Sequence, residues 1–245
     1  MLNLLNVHYH IQRESFFSEA ISEDAFTIYH SRKIDNIYWN YVVLSEVASF
    51  KKNSAEIYQR FEELNRKPCV YINAIDTDKL RDLLDEKFVV KYTESWLRFS
   101  GKEVAETQLV KEVKTKKEHK DFLNLFGEVQ EIRKTCWNIH TTSLVDQMLN
   151  LKNYYHFICY DNSRAVGVVS LGCYNGFCII YNLAVHPDYI GKGYFTSLIA
   201  ACVRKCREIK GHEIYALVET GSRREKWLLQ NSFVKVSTGY GLCKI

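Results

Sequence analysis

Apolar positions along the chain alternate between two periods. Leu198, Ile199, Cys202, Val203, Cys206 and Ile209 recur at helical spacing with basic residues on the opposite face, which predicts an amphipathic helix from Gly193 to Lys210, ended by Gly211. Before it, Phe177 to Val185 is apolar and β-prone, and Pro187 cannot continue a ladder. The same reading predicts strands over 37–44, 69–75, 88–99, 108–113, 154–160, 165–171, 213–219 and 233–236, and helices over 54–66, 117–129, 143–151 and 222–230. Asp76 is expected to cap a further helix that reaches Glu86 through Leu80, Leu83 and Leu84. Near the start, F-F-S-E-A-I-S-E-D-A-F from Phe16 to Phe26 is read as one or two short helices. Turns are expected at D-N-S-R (161–164) and at Asn175-Gly176.

Residues 37–99 thus read βαβαβ, and 177–236 repeat that order. Sliding by 145 residues places Phe88 on Phe233, Leu83 on Leu228, Thr77 on Ser222 and Phe50 on Phe195 without a gap, the pattern of an internal duplication. An unrelated α/β domain is the alternative, because βαβ order is common. The short polar stretch Gly101 to Thr107 sets the expected boundary, with domains over 1–105 and 106–245.

One feature is not repeated. Gly191 and Gly193 precede the long helix, whereas Glu46 to Phe50 carries no glycine at the matching place. A helix that opens on a glycine loop points unpaired N–H groups and its positive dipole end at one spot, where a phosphate is the natural guest. A plain tight turn has the same spelling.

The order V-x-P-x-x-x-G-x-G, from Val185 through Pro187 to Gly191 and Gly193, resembles the acetyl-CoA motif of the GCN5-related N-acetyltransferase (GNAT) family. The β-α-α-β-β-β-α-β-α-β order over about 106–245 is similar to that family's complete α/β fold, a mixed central sheet with helices on both faces. Here it would be preceded by a smaller, degenerate half-copy. The resemblance implies that coenzyme A lies with its pyrophosphate on the loop Ile190, Gly191, Lys192, Gly193, Tyr194, Phe195 and Thr196, and its pantetheine arm along Leu183, Ala184 and Val185. Ile190 stands where the family has Arg or Gln, and Phe195 where it has Gly or Ala. Leu228 stands where the family often places an acidic tyrosine, and Gly221 where it has asparagine.

Acetyl transfer needs a deprotonated amine, a polarised carbonyl and a proton for the departing thiolate. Glu219, ending a strand beside the cleft that the family would form, is a candidate base; capping the next helix, or pairing with Arg223 or Arg224, is the other reading. Tyr181 and Asn182 are candidates to orient the acceptor. Tyr240 and Tyr194 are candidate acids or packing aromatics. The expected activity is transfer of an acetyl group from acetyl-CoA to a primary amine, on a small molecule or a peptide, by direct transfer. A silent module that keeps the fold and binds coenzyme A or a partner is the alternative.

Composition narrows the picture a little further. The 245 residues are 47% hydrophobic and 25% charged, ordinary for a globular chain, and the net charge of +4 is too balanced to suggest a nucleic-acid binder. No apolar run reaches the ~20 residues that span a bilayer, and the start of the chain carries no basic leader, so a cytoplasmic protein without a membrane partner is expected. The eight cysteines form no C-x-x-C pair and read as small core hydrophobes in a reducing compartment. His8 and His10 stand two apart without supporting carboxylates, so a surface or packing role is expected and no metal site.

Overall fold

The computed structural model describes residues 2–13, 15–46, 48–74, 81, 83–84, 87–101, 104–132 and 139–244. In chain order the described elements are α1 (Leu2–Gln12), β1 (Glu19–Ser22), β2 (Phe26–His30), β3 (Tyr41–Leu44), α2 (Ala48–Glu63), β4 (Val70–Ala74), β5 (Phe88–Phe99), β6 (Val110–Glu112), α3 (Lys116–Ile132) and α4 (Ile139–Met148). They continue with β7 (Tyr154–Asp161), β8 (Arg164–Tyr174), β9 (Phe177–Val185), a 3₁₀ turn (Pro187–Tyr189), α5 (Tyr194–Glu208), β10 (Glu213–Glu219), α6 (Arg223–Gln230) and β11 (Phe233–Lys244). Asp76, Leu80 and Glu86 of the expected capped helix, and Cys136, lie outside the described residues.

Two compact units emerge, each assembled from separate stretches of chain. The first gathers Met1–Ile11, Arg98–Leu217 and Gln230–Val234; the second gathers Gln12–Leu97, Val218–Leu229 and Lys235–Ile245. A division at residue 105 is therefore a proposal about ancestry and not a description of compactness.

In the first unit the strands run β10-β9-β8-β7-β6, antiparallel except for the parallel pair β9 and β10. Both expected turns form for the reason the sequence gives. Asn162 and Ser163, and then Asn175 and Gly176, all take positive φ, as two-residue hairpin turns require. Helix α3 opens on a reciprocal cap, with Glu118 N–H donating to Thr115 Oγ1 (3.2 Å) and Thr115 N–H donating to Glu118 Oε2 (2.9 Å). It buries Phe122, Leu125, Phe126 and Val129.

In the second unit the strands run β1-β2-β3-β4-β11-β5, with β3 and β4 parallel and β11 antiparallel to β4. Its core joins Phe26, Ile28, Val42, Phe50, Ile57, Phe61, Val70, Ile72, Leu83, Phe88 and Leu242. Three expectations are corrected here. Phe16 to Phe26 forms β1 and the start of β2, because Ala20–Tyr29 and Ile21–Ile28 face each other across a hairpin that turns at Glu23 to Ala25. Helix α2 starts at Ala48, ahead of the expected Ser54. Strand β11 does not stop at Val236 but runs to Lys244, because Thr238 to Leu242 ladders onto β4.

Candidate active site

The first unit contains an opening in its sheet. Strands β9 and β10 pair from Phe177–Glu213 to Ile180–Ala216, and their ladder ends there although β9 continues to Val185. On the other edge of β9 the register with β8 slips between Val168 and Ser170, and Asn182 takes a φ of 51°. A bulge of this kind bends the strand and re-aims its side chains around Asn182, while Ala184 and Val185 still ladder onto Val168 and Gly167.

The strand leads into the glycine loop. His186 accepts a hydrogen bond from Asp188 N–H at 3.3 Å, and Pro187 opens the 3₁₀ turn. Gly191 and Gly193 have φ of 83° and 87°, a left-handed conformation that glycine adopts without the Cβ penalty. A Cβ on Gly191 would meet nothing within 4 Å, whereas one on Gly193 would lie 2.4 Å from Thr107 Oγ1. Gly193 is also the N-cap of α5, and no side chain caps that helix. Ser197 Oγ accepts from the backbone N–H of Thr107 (3.0 Å) and Gln108 (2.9 Å), and Gln108 Nε2 donates to the Lys192 carbonyl at 2.9 Å. Those bonds fix the start of α5 while leaving the capping position to backbone alone. The result is a rigid, cap-free helix N-terminus behind an open glycine turn, an arrangement suited to an anionic group.

The loop side chains are disposed unevenly. Ile190 is 62% exposed, Tyr194 is buried, and Phe195 and Thr196 are half-buried. Lys192 Nζ rests 4.5 Å from the centre of the Tyr189 ring. Leu183 is half-buried, and Ala184 and Val185 are buried.

A polar network that sequence reasoning missed lies beside the bulge. Tyr181 OH is 2.8 Å from Nδ1 of His8, a residue of α1 that is 5% exposed. Burial pulls the His8 imidazole down to about 3, so it is neutral at pH 7. Asn182 Nδ2 donates to Ser170 Oγ at 3.1 Å, and Ser170 Oγ meets His156 Nδ1 at 2.8 Å. Burial holds His156 near 4, neutral as well. Tyr154 OH donates to the Ile11 carbonyl at 3.0 Å, and its ring lies 6.2 Å from that of Tyr181. Helix α1 is thus docked on β7 and β9, and a Cβ on Gly172 would come within 2.4 Å of Ile11. His8 and Tyr181 are 173 positions apart, and H-Y-H carries no local sign of that pairing.

The other sequence candidates belong to the second unit. Glu219 is exposed at the end of β10, its carbonyl accepting from Ser222 N–H at 3.3 Å. It lines a shallow groove with Tyr38, Tyr92 and Thr93. Tyr240 pairs with Ile72 on β4 and packs against the apolar core. Leu228, at the family's tyrosine position, is 1% exposed. Among the described residues no group of three or more His, Cys, Asp or Glu is placed to hold a metal, and no helix is long and apolar enough to cross a membrane.

Comparison with known proteins bears on this geometry. Residues 125–226 match the family model of the acetyltransferase (GNAT) family, a stretch that runs from α3 through the glycine loop into α6. No curated protein matches. Among solved structures, a GCN5-related N-acetyltransferase from Kribbella flavida superposes with a TM-score of 0.73 at 10% identity, over 99% of this chain and 94% of that one. A functionally unknown conserved protein from Staphylococcus epidermidis gives 0.69 at 14% identity, over 92% and 93%. A GCN5-related N-acetyltransferase from Sphaerobacter thermophilus gives 0.61 at 10% identity, over 90% and 80%. At such identities the likeness is one of fold.

Proposed function

Since the chain carries a domain of the GNAT family over residues 125–226, we propose that it is an acetyltransferase that moves an acetyl group from acetyl-CoA to a primary amine by direct transfer. The observation that carries this reading is the junction of β9 with α5. The ladder to β10 ends at Ile180, and the strand then runs into a left-handed Gly193 that caps α5 with no side chain.

The fit to coenzyme A rests on this chain's own groups. The backbone amides of Gly191 to Thr196 would receive the pyrophosphate, and the edge of β9 from Leu183 to Val185 would receive the pantetheine arm. Ile190, exposed where a charged or amide side chain is usual, contributes nothing to the phosphates. When bound, the cofactor supplies an activated acetyl thioester.

We assign Tyr181, which lies in the unit that holds the glycine loop, the proton that the leaving sulfur would take up; Glu219, the base candidate of the sequence, lies in the other unit and is given no step. In the balanced step the amine nitrogen would bond to the acetyl carbon as the C–S bond breaks, solvent would take the amine proton, and Tyr181 OH would give one to the sulfur. Tyr181 would reset through solvent. Neutral His8, donating from Nδ1, would hold the phenol oxygen. Tyr240, the other catalytic candidate of the sequence, packs against the apolar core of the second unit and is given no step. The buried Leu228 favours one second reading, a silent module that binds coenzyme A without turnover.

We further read residues 1–105 as a degenerate half-copy of the same fold. Shifted by 145, α2 (Ala48–Glu63) falls on α5 (Tyr194–Glu208), and β5 on β11, each 12 residues long.

Calorimetric titration with acetyl-CoA, coenzyme A and a dephosphorylated analogue tests the reading, followed by a thiol-release screen of primary amines. Micromolar binding that needs the phosphates and is lost in Gly193→Asp is expected. Binding without turnover on any amine would favour the silent module, and no binding would overturn the placement of the loop.

A further inference from the structure

The sequence reads every cysteine as a small core hydrophobe, and one pair in the second unit departs from that. Strands β4 and β11 run antiparallel with Val70 opposite Leu242. The next step of that register sets Cys69, which precedes β4, opposite Cys243. The two thiols are hydrogen-bonded to each other. Directly opposed residues of an antiparallel pair have Cα atoms about 4.5 or about 5.5 Å apart, and both spacings lie inside the roughly 4.4–6.8 Å that a disulfide spans. Joining these sulfurs asks for no movement of the strands.

The two sulfurs differ in kind. Cys69 is fully buried, and the hydrogen bond with Cys243, followed by burial, pushes its thiol well up, so it keeps its proton. Glu94 of β5 pushes it the same way. Cys243 is half-buried, and its thiol is drawn below the usual range, first by the hydrogen bond from Cys69 and then, against burial, by the ammonium groups of Lys91 on β5 and Lys67 before β4. The thiolate is the attacking form of a cysteine. A reachable sulfur held towards thiolate, in contact with a buried thiol that keeps its proton, is an attacking sulfur with its resolving partner. A second pair in the chain supplies a contrast. Cys173 and Cys178 face each other on β8 and β9 with sulfurs 2.7 Å apart, but there the contact with Cys173 pushes the Cys178 thiol up and no lysine draws it down.

We propose that Cys243 and Cys69 form a dithiol site that reduces a small hydroperoxide and closes to a disulfide between β11 and β4. The Cys243 thiolate bonds to the hydroxyl oxygen of the hydroperoxide as the O–O bond breaks, and the departing alkoxide takes a proton from solvent to become an alcohol. Cys243 is then a sulfenic acid. The Cys69 sulfur bonds to the Cys243 sulfur, the S–O bond breaks, and hydroxide leaves with the Cys69 proton as water. The two thiols lose two electrons and the O–O bond gains them. A small external dithiol restores both thiols by exchange. Cys69, Cys243, Lys67 and Lys91 all belong to the second unit, and none takes part in the acetyl-transfer reading, so the two proposals stand apart.

The test uses the full chain, reduced and then freed of reductant, at neutral pH. Limiting iodoacetamide, mapped by mass spectrometry, should alkylate Cys243 at least about tenfold faster than Cys173, the other half-buried thiol. Hydrogen peroxide should give a peptide linked through Cys69 and Cys243, and dithiothreitol should undo the link. In Cys69→Ala the link should be lost and dimedone should capture a sulfenic acid at Cys243, whereas Cys243→Ser should give neither. Lys67 and Lys91 are exposed, and Lys67→Gln with Lys91→Gln should slow alkylation of Cys243 at least about threefold with the urea midpoint unchanged. Acetyl-CoA binding should be unaltered in Cys243→Ser. Equal alkylation of Cys173 and Cys243, a disulfide from Cys243 to another cysteine, no disulfide at all, or an unchanged rate in the lysine variant would overturn the proposal.

Discussion

Glu94 makes a sharp prediction about stability and pH. Burial is the main cause that raises its carboxyl from 4.5 to about 7, against the small lowering by the Tyr71 hydroxyl. A carboxyl raised this far binds its proton more tightly in the fold than in the unfolded chain. The sign follows from that. Below about pH 4.5 both states are protonated and there is no penalty; as pH rises the unfolded chain ionises first, and by pH 8 the fold carries the full cost of a buried charge. At 1.36 kcal/mol per pKa unit, that cost is about 3 kcal/mol. Glu94→Gln keeps the shape and an oxygen for Tyr71 to donate to, and its amide donors enter a face where Asn73 Oδ1 and Ser237 Oγ lack partners. The variant should therefore be more stable than the parent by about 2–3 kcal/mol at pH 8, with the difference shrinking towards pH 5. Tyr71 and Tyr92, whose hydroxyls burial pushes well above 10, stay neutral throughout and do not confuse the comparison. Urea denaturation at pH 5, 6, 7 and 8, followed by tryptophan emission, measures it. A difference that is constant across pH, or a variant less stable than the parent at pH 8, would refute the reasoning.

Three further outcomes are expected. Gly193→Ala forces a left-handed φ of 87° on alanine and sets its Cβ 2.4 Å from Thr107 Oγ1, so it should cost about 1–2 kcal/mol in urea unfolding and weaken acetyl-CoA binding; unchanged affinity would mean the cofactor lies elsewhere. His8→Phe and Tyr181→Phe should each lower kcat about a hundredfold with acetyl-CoA affinity retained, and the double variant should be no slower than either single one, because both act through one hydrogen bond of 2.8 Å; multiplicative losses would separate the two residues. Gly241→Ala, whose Cβ would lie 2.0 Å from the Tyr92 ring, should destabilise by about 1–3 kcal/mol through overpacking, while Gly191→Ala should show only the cost of its positive φ.

What the sequence disclosed follows the range of the forces involved. Helix α5, strand β9 and the turns at Asn162-Ser163 and Asn175-Gly176 depend on spacing and backbone preference within a few residues, and these were legible. The end of β11 was not, because Gly239 and Gly241 look like breakers until the rings of Tyr71 and Tyr92 are seen lying over them. Phe16 to Phe26 misled because apolar residues at 16, 17, 21 and 26 fit a helical face as well as two short strands, and only the hairpin with β2 decides. The glycine loop was visible as a motif, and His8 was invisible, since its partner lies 173 positions away.

The contrast between α2 and α5 shows why a scaffold position is not yet a site. Under the 145-residue offset Phe50 and Phe195 occupy equivalent first turns. Phe50 is 4% exposed and meets Phe88 edge-on with ring centres 5.1 Å apart, so the start of α2 is consumed by the apolar core. Phe195 is half-buried, and the chain before it is held off by Gly191, around which a Cβ would find nothing within 4 Å. The same helix start is closed by packing in one half and kept open by glycine in the other. Installing glycines before α2 would not by itself make a second loop, because the phenyl ring of Phe50 would still be driven inward by the ~1.5–3 kcal/mol that burying such a side chain contributes. The capacity for an anionic guest therefore depends on two features together, a left-handed turn and a first-turn side chain that the core does not claim, and of the two helices only α5 has both.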